Sequence, residues 1–174
     1  PWVNAHPIWY FTAHPLGYGE HKLDGWGFRT EIGSAVFTNY ESYKKFMPEP
    51  ERWPAPPGML DKHFFGNSAG NARPTRYFAA VEYNYGKAAG AEDFCRKAQL
   101  LNIEVNKAMY EGWQHHLWND ASGILTWMSQ SAYPSFVWQT YDYYYDLNGA
   151  YWGVRKACEP LHIQWSYADN TVKV

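Results

Sequence analysis

Residues 92–117 form the longest periodic segment of the sequence, and the short runs on either side of it restrict the folds that the chain can adopt. Apolar residues recur in this segment at three- and four-residue steps, on one face of a helix: Phe94, Ala98, Leu101, Val105, Met109 and Trp113. The run "WGFRTE" upstream and the run "SGILTWMSQ" (122–130) downstream are typical of strands, and we predict that the second strand is buried. Strands that alternate with helices pair in parallel through crossover connections. The sequence therefore predicts an α/β fold, although two strands can neither close a barrel nor form a stable sheet alone.

Three shorter helices are predicted from their start and stop signals. They span residues 38–47, 74–85 and 149–159. Thr38 and Glu41 have the spacing of a capping box, and Asn148 is a favoured cap for the third helix. Residues 1–24 and 48–74 are rich in Pro and Gly and are expected to be irregular. The final runs "LHIQWSY" and "NTVKV" alternate in polarity, which predicts two further β-strands.

Aromatic residues make up 20% of the chain, with 10 Trp and 15 Tyr, while the mean hydropathy is only -0.57. Aromatic side chains with a polar handle suit surfaces that are apolar and hydrogen-bonding together, as sugar-binding clefts are. An aromatic-rich core explains the same composition equally well. Composition alone therefore leaves both interpretations open.

Charge and hydropathy exclude two classes of partner. The formal net charge is -2 and no Lys/Arg cluster interleaves with the aromatic residues, which argues against nucleic-acid binding. No apolar run approaches the roughly 18 residues that a membrane span needs. Cys95 and Cys158 lie far apart and outside any zinc motif, so their spacing leaves a disulfide open, and two free thiols within helices are the default expectation. The chain does not begin with Met and ends on what looks like an interrupted strand, so we expect a segment of a longer polypeptide.

One carboxylate, Glu31, ends the first predicted strand in the stretch "GWGFRTEIGSA" (25–35), and Trp127 lies near the end of the second. Function in α/β folds gathers at the carboxyl ends of the strands. Burial of an ionised carboxylate is costly unless the charge is compensated. Glu31 is therefore predicted to be either a structural ion-pair partner or a catalytic group beside an apolar sugar platform.

Other candidate motifs have ordinary structural interpretations. The run "GNSAG" (66–70) matches the nucleophile elbow of serine hydrolases, but no helix can begin directly after it, so we expect a loop. Three histidines of the first loop could reach a substrate or supply loop polarity: His6, His14 and His21. Glu104 and Glu111 are predicted to lie on the solvated face of the long helix.

Three segments resemble glycoside hydrolase family 2 in its exo-β-D-glucosaminidase and β-mannosidase branch. The run "GFRTEIG" resembles the nucleophile motif of that family. The run "EDFCRKAQLLNIEVNKAMYEGW" is similar to its helix before the last barrel strand, and residues 123–165 resemble the last strand, active-site loop and final helix. The resemblance implies that residues 1–160 are the C-terminal part of a (β/α)8 TIM barrel, with strands 7 and 8 and their helices. Residues 161–174 would begin an immunoglobulin-like β-sandwich.

The resemblance also implies a role for each candidate site residue. Glu31 would be the catalytic nucleophile of a retaining β-glycoside hydrolase, and Trp127 would form the floor of the sugar subsite. Trp138, Tyr141 and Asp142 would line the cleft. The acid/base carboxyl of the family follows an Asn, and no Asn-Glu pair occurs in this sequence. The chain would therefore carry half of the catalytic pair and depend on the remainder of its own polypeptide.

The resemblance implies a β-linked oligosaccharide or polysaccharide substrate, no metal or organic cofactor, and a secreted or periplasmic location. Two alternatives remain at this point. One is a non-catalytic carbohydrate-binding protein, in which the aromatic residues hold sugar without turnover. The other is one chain of a split or processed glycosidase, completed by another polypeptide.

Overall fold

Helices and strands alternate along the chain in the computed structural model, which describes residues 27–63, 65, 74–119, 121–136, 138–166 and 170–174. The elements are, in order, β1 (Gly27–Ile32), α1 (Tyr40–Phe46), a short 3₁₀ turn (Glu49–Glu51), α2 (Pro57–Lys62), α3 (Pro74–Tyr85), α4 (Ala91–His115), β2 (Ala121–Thr126), α5 (Gly149–Ala157), β3 (Gln164–Ser166) and β4 (Thr171–Lys173). Residues 1–24, with the three histidines of the first loop, and the "GNSAG" run lie outside the described residues.

The strands β1 and β2 pair in parallel, as the alternation of strands and helices predicts. Gly27 lies opposite Ala121 and Ile32 opposite Thr126, and the register shifts between Gly27 and Phe28 and again between Arg29 and Ile32. Helix α4 precedes β2 and lies on the crossover between the two strands. The strands β3 and β4 form a separate antiparallel pair, which confirms the prediction of new strands near the end of the chain.

The helices confirm most of the predicted bounds and correct two features. The cap of α1 is Asn39, whose side chain accepts a hydrogen bond from Ser42 N, so Thr38 does not form the predicted capping box. The segment expected to be irregular between residues 48 and 74 contains the 3₁₀ turn and α2, both of which have Pro in the first turn. Asn148 caps α5 as predicted, because its side chain accepts from Ala150 N.

An aromatic cluster fills the core between the helices. Phe37, 1% exposed, lies at its centre and contacts six other rings, at centroid distances from 4.4 to 6.3 Å. Those rings belong to Tyr43, Phe65, Tyr77, Phe78, Phe94 and Phe136. Aromatic pairs at such distances add stability beyond the burial of their area. Part of the aromatic composition is therefore a matter of core packing.

Two glycines allow α5 to pack closely against α4. A Cβ atom at Gly149 would lie 2.2 Å from Gln99 O, and one at Gly153 would lie 2.3 Å from Ile103 O. Both neighbours are helix backbone, which cannot move aside. The "GAYWG" run of α5 therefore sets the distance between the two helices.

The two parallel strands are more exposed than the sequence predicts. Within β2, Ala121 is buried, but Leu125 is 53% exposed, so the prediction of a buried second strand is wrong. Phe28 in β1 is 56% exposed. Parallel sheets are ordinarily covered on both faces, so these exposed apolar side chains mark surface that the described helices do not cover.

The β3–β4 hairpin is attached to the end of α4 through Glu111. This residue was expected on the solvated face of the helix, but its side chain is 1% exposed. Its Oε1 atom lies 2.7 Å from Lys107 Nζ and 2.7 Å from His162 Nε2. Gln164 Nε2 donates to the backbone oxygen of Glu111 at 2.8 Å. These partners compensate a carboxylate that would otherwise be costly to bury.

Both cysteines are free. Cys95 lies in α4 and is buried, which raises the pKa of its thiol to about 12. Cys158 follows α5 and is exposed. Among the described helices, none combines the length and apolar character required to cross a bilayer.

Candidate functional site

The carboxyl ends of β1 and β2 meet at one edge of the sheet. Trp127 N donates to Ile32 O at 2.7 Å, which continues the parallel ladder beyond β2. Ile32 belongs to the buried core, whereas Glu31 is exposed. The exposed Glu31 side chain therefore lies outside the buried core, at the carboxyl end of β1.

Trp127 directly follows the end of β2 and is 49% exposed. The preceding residue, Thr126, hydrogen-bonds to the hydroxyl of Tyr110 on α4, so its side chain faces the helices. The peptide bond between Trp127 and Met128 is cis. The ladder hydrogen bond to Ile32 thus brings a carboxylate and an exposed indole to the same end of the sheet.

Gly33 permits this close approach. A Cβ atom at position 33 would lie 2.0 Å from Trp127 O and 3.2 Å from Cδ1 of Trp138. The first neighbour is backbone, so no side-chain movement can relieve the overlap. The glycine that follows Glu31 by two residues is therefore required for the position of Trp127.

The loop between β2 and α5, residues 127–148, folds back on its own beginning. Met128 N donates to Trp138 O at 2.7 Å, and the backbone N–H of Tyr141 donates to Ser129 O at 3.2 Å. Trp138 has a positive φ of 51°, which is uncommon for a bulky residue. The side chains of Trp138 and Tyr141 are both partly exposed. The loop backbone thus brings Trp138 next to the residue that follows Trp127, and Tyr141 next to Ser129.

Asp142 occupies a different position from the one expected. The resemblance places this residue on the cleft wall, but it is 2% exposed and its carboxylate points into the protein. Its Oδ2 atom accepts from Thr38 Oγ1 at 2.9 Å, and its Oδ1 atom accepts from the N–H groups of Tyr144 and Asp146 at 2.9 and 3.1 Å. A buried carboxylate requires such donors, and here they hold it within the loop.

The tip of the loop carries three consecutive tyrosines with different surroundings. Tyr143 and Tyr145 are exposed, whereas Lys45 Nζ lies 4.5 Å from the ring centroid of Tyr144. Burial and the neighbouring Asp142 carboxylate raise the pKa of Tyr144. Tyr144 therefore stays neutral at physiological pH.

The base of the loop is fixed in the aromatic core. Phe136 stacks on Phe37 at a centroid distance of 4.4 Å, and Phe136 N donates to His63 O at 3.0 Å. Phe37 and Thr38 belong to the segment that follows β1. The segments after β1 and β2 are therefore both anchored in the buried aromatic core.

Sequence reasoning did not find the residues that join the two loops. Besides Thr38, these are Asn39, whose Nδ2 atom donates to Asp146 Oδ2 at 2.9 Å, and Gln99, whose Nε2 atom donates to Phe37 O and Thr38 O at 3.1 and 3.2 Å. These contacts join positions 60 to 110 residues apart, and no local pattern indicates them.

Within the described residues, no group of three or more His, Cys, Asp or Glu side chains is arranged to hold a metal ion. The exposed or partly exposed groups at this edge include the Glu31 carboxylate and the aromatic rings of Trp127, Trp138 and Tyr141. A carboxylate beside exposed aromatic rings can act on the polar and apolar faces of a sugar.

Comparison with known proteins gives consistent matches over nearly the whole chain. The chain is 33% identical over 181 residues to an exo-beta-D-glucosaminidase from Amycolatopsis orientalis, which covers 100% of the chain and 17% of that relative. It is 28% identical to a mannosylglycoprotein endo-beta-mannosidase from Lilium longiflorum, over 95% of the chain and 18% of the relative. No family model matches the chain.

The structure is similar to the crystal structure of the Amycolatopsis orientalis exo-chitosanase CsxA. The TM-score is 0.74 at 28% identity, over 97% of this chain and 20% of that one. A complex of a variant of that enzyme with PNP-beta-D-glucosamine matches with the same TM-score. The chain therefore spans about a fifth of the length of the relatives that it matches.

Proposed function

Because the chain belongs to the exo-β-D-glucosaminidase and β-mannosidase branch of glycoside hydrolase family 2, we propose that it supplies the nucleophile and part of the sugar subsite of a retaining β-glycosidase. The single observation that carries the proposal is the ladder hydrogen bond of 2.7 Å from Trp127 N to Ile32 O. It holds the Glu31 carboxylate and the Trp127 indole at one edge of the sheet. A double-displacement glycosidase needs both groups close to the reacting sugar.

In the proposed mechanism, ionised Glu31 attacks the anomeric carbon of the sugar and forms a glycosyl–enzyme ester. A second, protonated carboxyl at about 5–5.5 Å donates its proton to the leaving oxygen and later activates the water that breaks the ester. The remainder of the polypeptide supplies this second group. Trp127 stacks beneath the sugar ring, and Trp138 and Tyr141 line the cleft beside it. Two carboxyls and a shaped cleft suffice, so no cofactor is invoked.

The proposed architecture is the C-terminal part of a (β/α)8 barrel over residues 1–160, with β1 and β2 as strands 7 and 8. Residues 161–174 would begin an immunoglobulin-like β-sandwich. The open face of the β1–β2 sheet supports the first assignment, because a barrel strand presents one face to the helices and the other to the interior. The β3–β4 hairpin supports the second, since Trp165 and Val172 form a cross-strand pair and are both exposed.

The proposed substrate is a β-linked glucosaminide, with a mannoside as the second choice. The glucosaminide is supported by the relative of 33% identity, which is named an exo-beta-D-glucosaminidase. The mannoside is supported by the relative named a mannosylglycoprotein endo-beta-mannosidase. We further propose that the protein acts outside the cytoplasm, where polysaccharides of this kind occur.

Replacement of Glu31 by Gln in the intact enzyme tests the proposal. The amide keeps the shape of the side chain but cannot form the ester, so turnover of an aryl β-D-glucosaminide should fall by roughly a thousandfold or more. Affinity for a non-hydrolysed sugar should change little. Steady-state rates and calorimetric titration measure the two quantities.

Glu41→Gln is the matched control, because Glu41 is an exposed residue of α1 whose carboxylate is 2.9 Å from Lys44 Nζ. This variant should retain full turnover. If Glu31→Gln also retains turnover, Glu31 is not the nucleophile. If the wild-type protein binds sugar without any turnover, it is a carbohydrate-binding protein instead.

A further inference from the structure

The buried carboxylate of Asp142 joins the two loops that follow the parallel strands, and the proposed mechanism does not use it. One oxygen, Oδ2, accepts from Thr38 Oγ1 in the loop after β1. The other, Oδ1, accepts two backbone N–H groups in the loop after β2. One side chain therefore spans both loops, with every contact to it inside the protein.

Thr38 is a fixed donor for this carboxylate. Its side chain is fully buried, and its backbone oxygen accepts from Gln99 Nε2 at 3.2 Å. Gln99 lies on α4 and also accepts from Gly149 N at 2.8 Å through its Oε1 atom. The helical layer thus holds Thr38 in place, and Thr38 in turn holds the loop that contains Asp142.

The loop depends on such contacts because its described residues contain no helix or strand between β2 and α5. Trp138 and Tyr141, which line the proposed sugar site, precede Asp142 in this loop by four residues and one residue. Hydrogen bonds to a charged acceptor are about twice as strong as neutral ones. The Thr38–Asp142 contact is therefore well suited to set the distance between the aromatic wall and Glu31.

We propose that Asp142 is a positioning residue for glycoside hydrolysis, which places Trp138 and Tyr141 against the sugar by holding the hydroxyl of Thr38. The inference rests on the proposed function and reassigns Asp142 from a substrate contact to a support of the cleft wall. Its effect falls on sugar binding, because Glu31 and Trp127 are held separately by the sheet.

Thr38→Val in the intact enzyme tests this role. Valine keeps the shape of threonine but removes the donor, which leaves Asp142 Oδ2 buried without it. KM for an aryl β-D-glucosaminide should rise about tenfold, the loss that corresponds to one hydrogen bond to a charged group. The turnover number should change less. Thr38→Ser restores the hydroxyl and should return KM close to the wild-type value.

Gln114→Met is the matched control for a purely structural effect. It removes the 2.8 Å hydrogen bond from Gln114 Nε2 to Ala157 O, which joins the ends of α4 and α5 away from the proposed site. We expect a comparable loss of thermal stability with an unchanged KM. An equal rise of KM in both variants, or no rise in Thr38→Val, overturns the inference.

Asp142→Asn provides a second variant in case Thr38→Val does not fold. The remaining oxygen can still accept the two backbone N–H groups, and the amide can donate to Thr38 Oγ1. KM should then rise less than in Thr38→Val, and an unchanged KM contradicts the role of the charge. Inactive Glu31→Gln together with an unaffected Thr38→Val overturns this inference alone, whereas active Glu31→Gln overturns the proposed function.

Discussion

The helical layer and the parallel sheet of this chain differ in how completely they bury their aromatic side chains. The helices bury an aromatic cluster around Phe37, which is 1% exposed, whereas Phe28 in β1 is 56% exposed. The helical region buries its aromatic side chains within the described residues, whereas the sheet leaves apolar side chains exposed. The candidate site lies at the edge where these two regions meet.

In this chain, the residues that stabilise the fold and the residues of the candidate site lie in different regions. The segments after β1 and β2 enter the core through Phe37 and Phe136, which stack on each other, and Gln99 of α4 donates to the backbone of the first segment. Glu31 and Trp127 are both exposed where the two strands end. The helices therefore act as the support, and the exposed ends of the strands carry the proposed site.

Loss of the central core ring should give the largest effect on stability. Phe37→Ala in the intact enzyme removes a ring that contacts six others, and we expect the free energy of unfolding to fall by about 3–5 kcal/mol. Chemical denaturation measures this change. A loss below about 1 kcal/mol would show that the aromatic cluster does not support the fold.

Phe28→Ala measures whether the exposed side chains of the sheet are covered in the intact enzyme. If β1 is a strand of a complete barrel, the rest of the polypeptide covers Phe28, and truncation should cost about 1.5–3 kcal/mol in the intact enzyme. A side chain that remains on the surface should change stability by less than about 0.5 kcal/mol. The second result would contradict the barrel assignment.

Gly33→Ala should lower both the stability of the protein and its turnover. The new methyl group would overlap the backbone oxygen of Trp127, and we expect a loss of about 1–3 kcal/mol together with a marked drop in turnover. Gly58→Ala is the control, because a Cβ atom there meets nothing within 4 Å. If the two variants have the same free energy of unfolding and the same turnover, Gly33 is not required for the site.

Thiol reactivity gives the smallest effect and needs no substitution. Burial raises the pKa of the Cys95 thiol to about 12, while Cys158 is exposed with a pKa that partial burial also raises. Iodoacetamide should therefore label Cys158 slowly and leave Cys95 unmodified in the folded enzyme. Peptide mass spectrometry compares the two sites. Faster labelling of Cys95 would show that α4 opens readily.

The elements with local signals were predictable from the sequence, and the contacts between them were not. The steps from Phe94 to Trp113 predict α4, and Asn148 predicts the start of α5, because helix periodicity and caps are local. The burial of β2 and Glu111 was predicted wrongly, since it depends on neighbours distant in sequence. In the same way, Asp142 could be assigned to the active-site loop by resemblance, but its inward direction depends on Thr38, 104 residues away.

A mechanism-based label identifies the residue that forms the glycosyl–enzyme ester. Incubation of the intact enzyme with a 2-deoxy-2-fluoro β-glycoside should trap the glycosyl–enzyme ester, and peptide mass spectrometry should place the label on the peptide that contains Glu31. A label on a peptide from another part of the enzyme would contradict the assignment of Glu31 as the nucleophile.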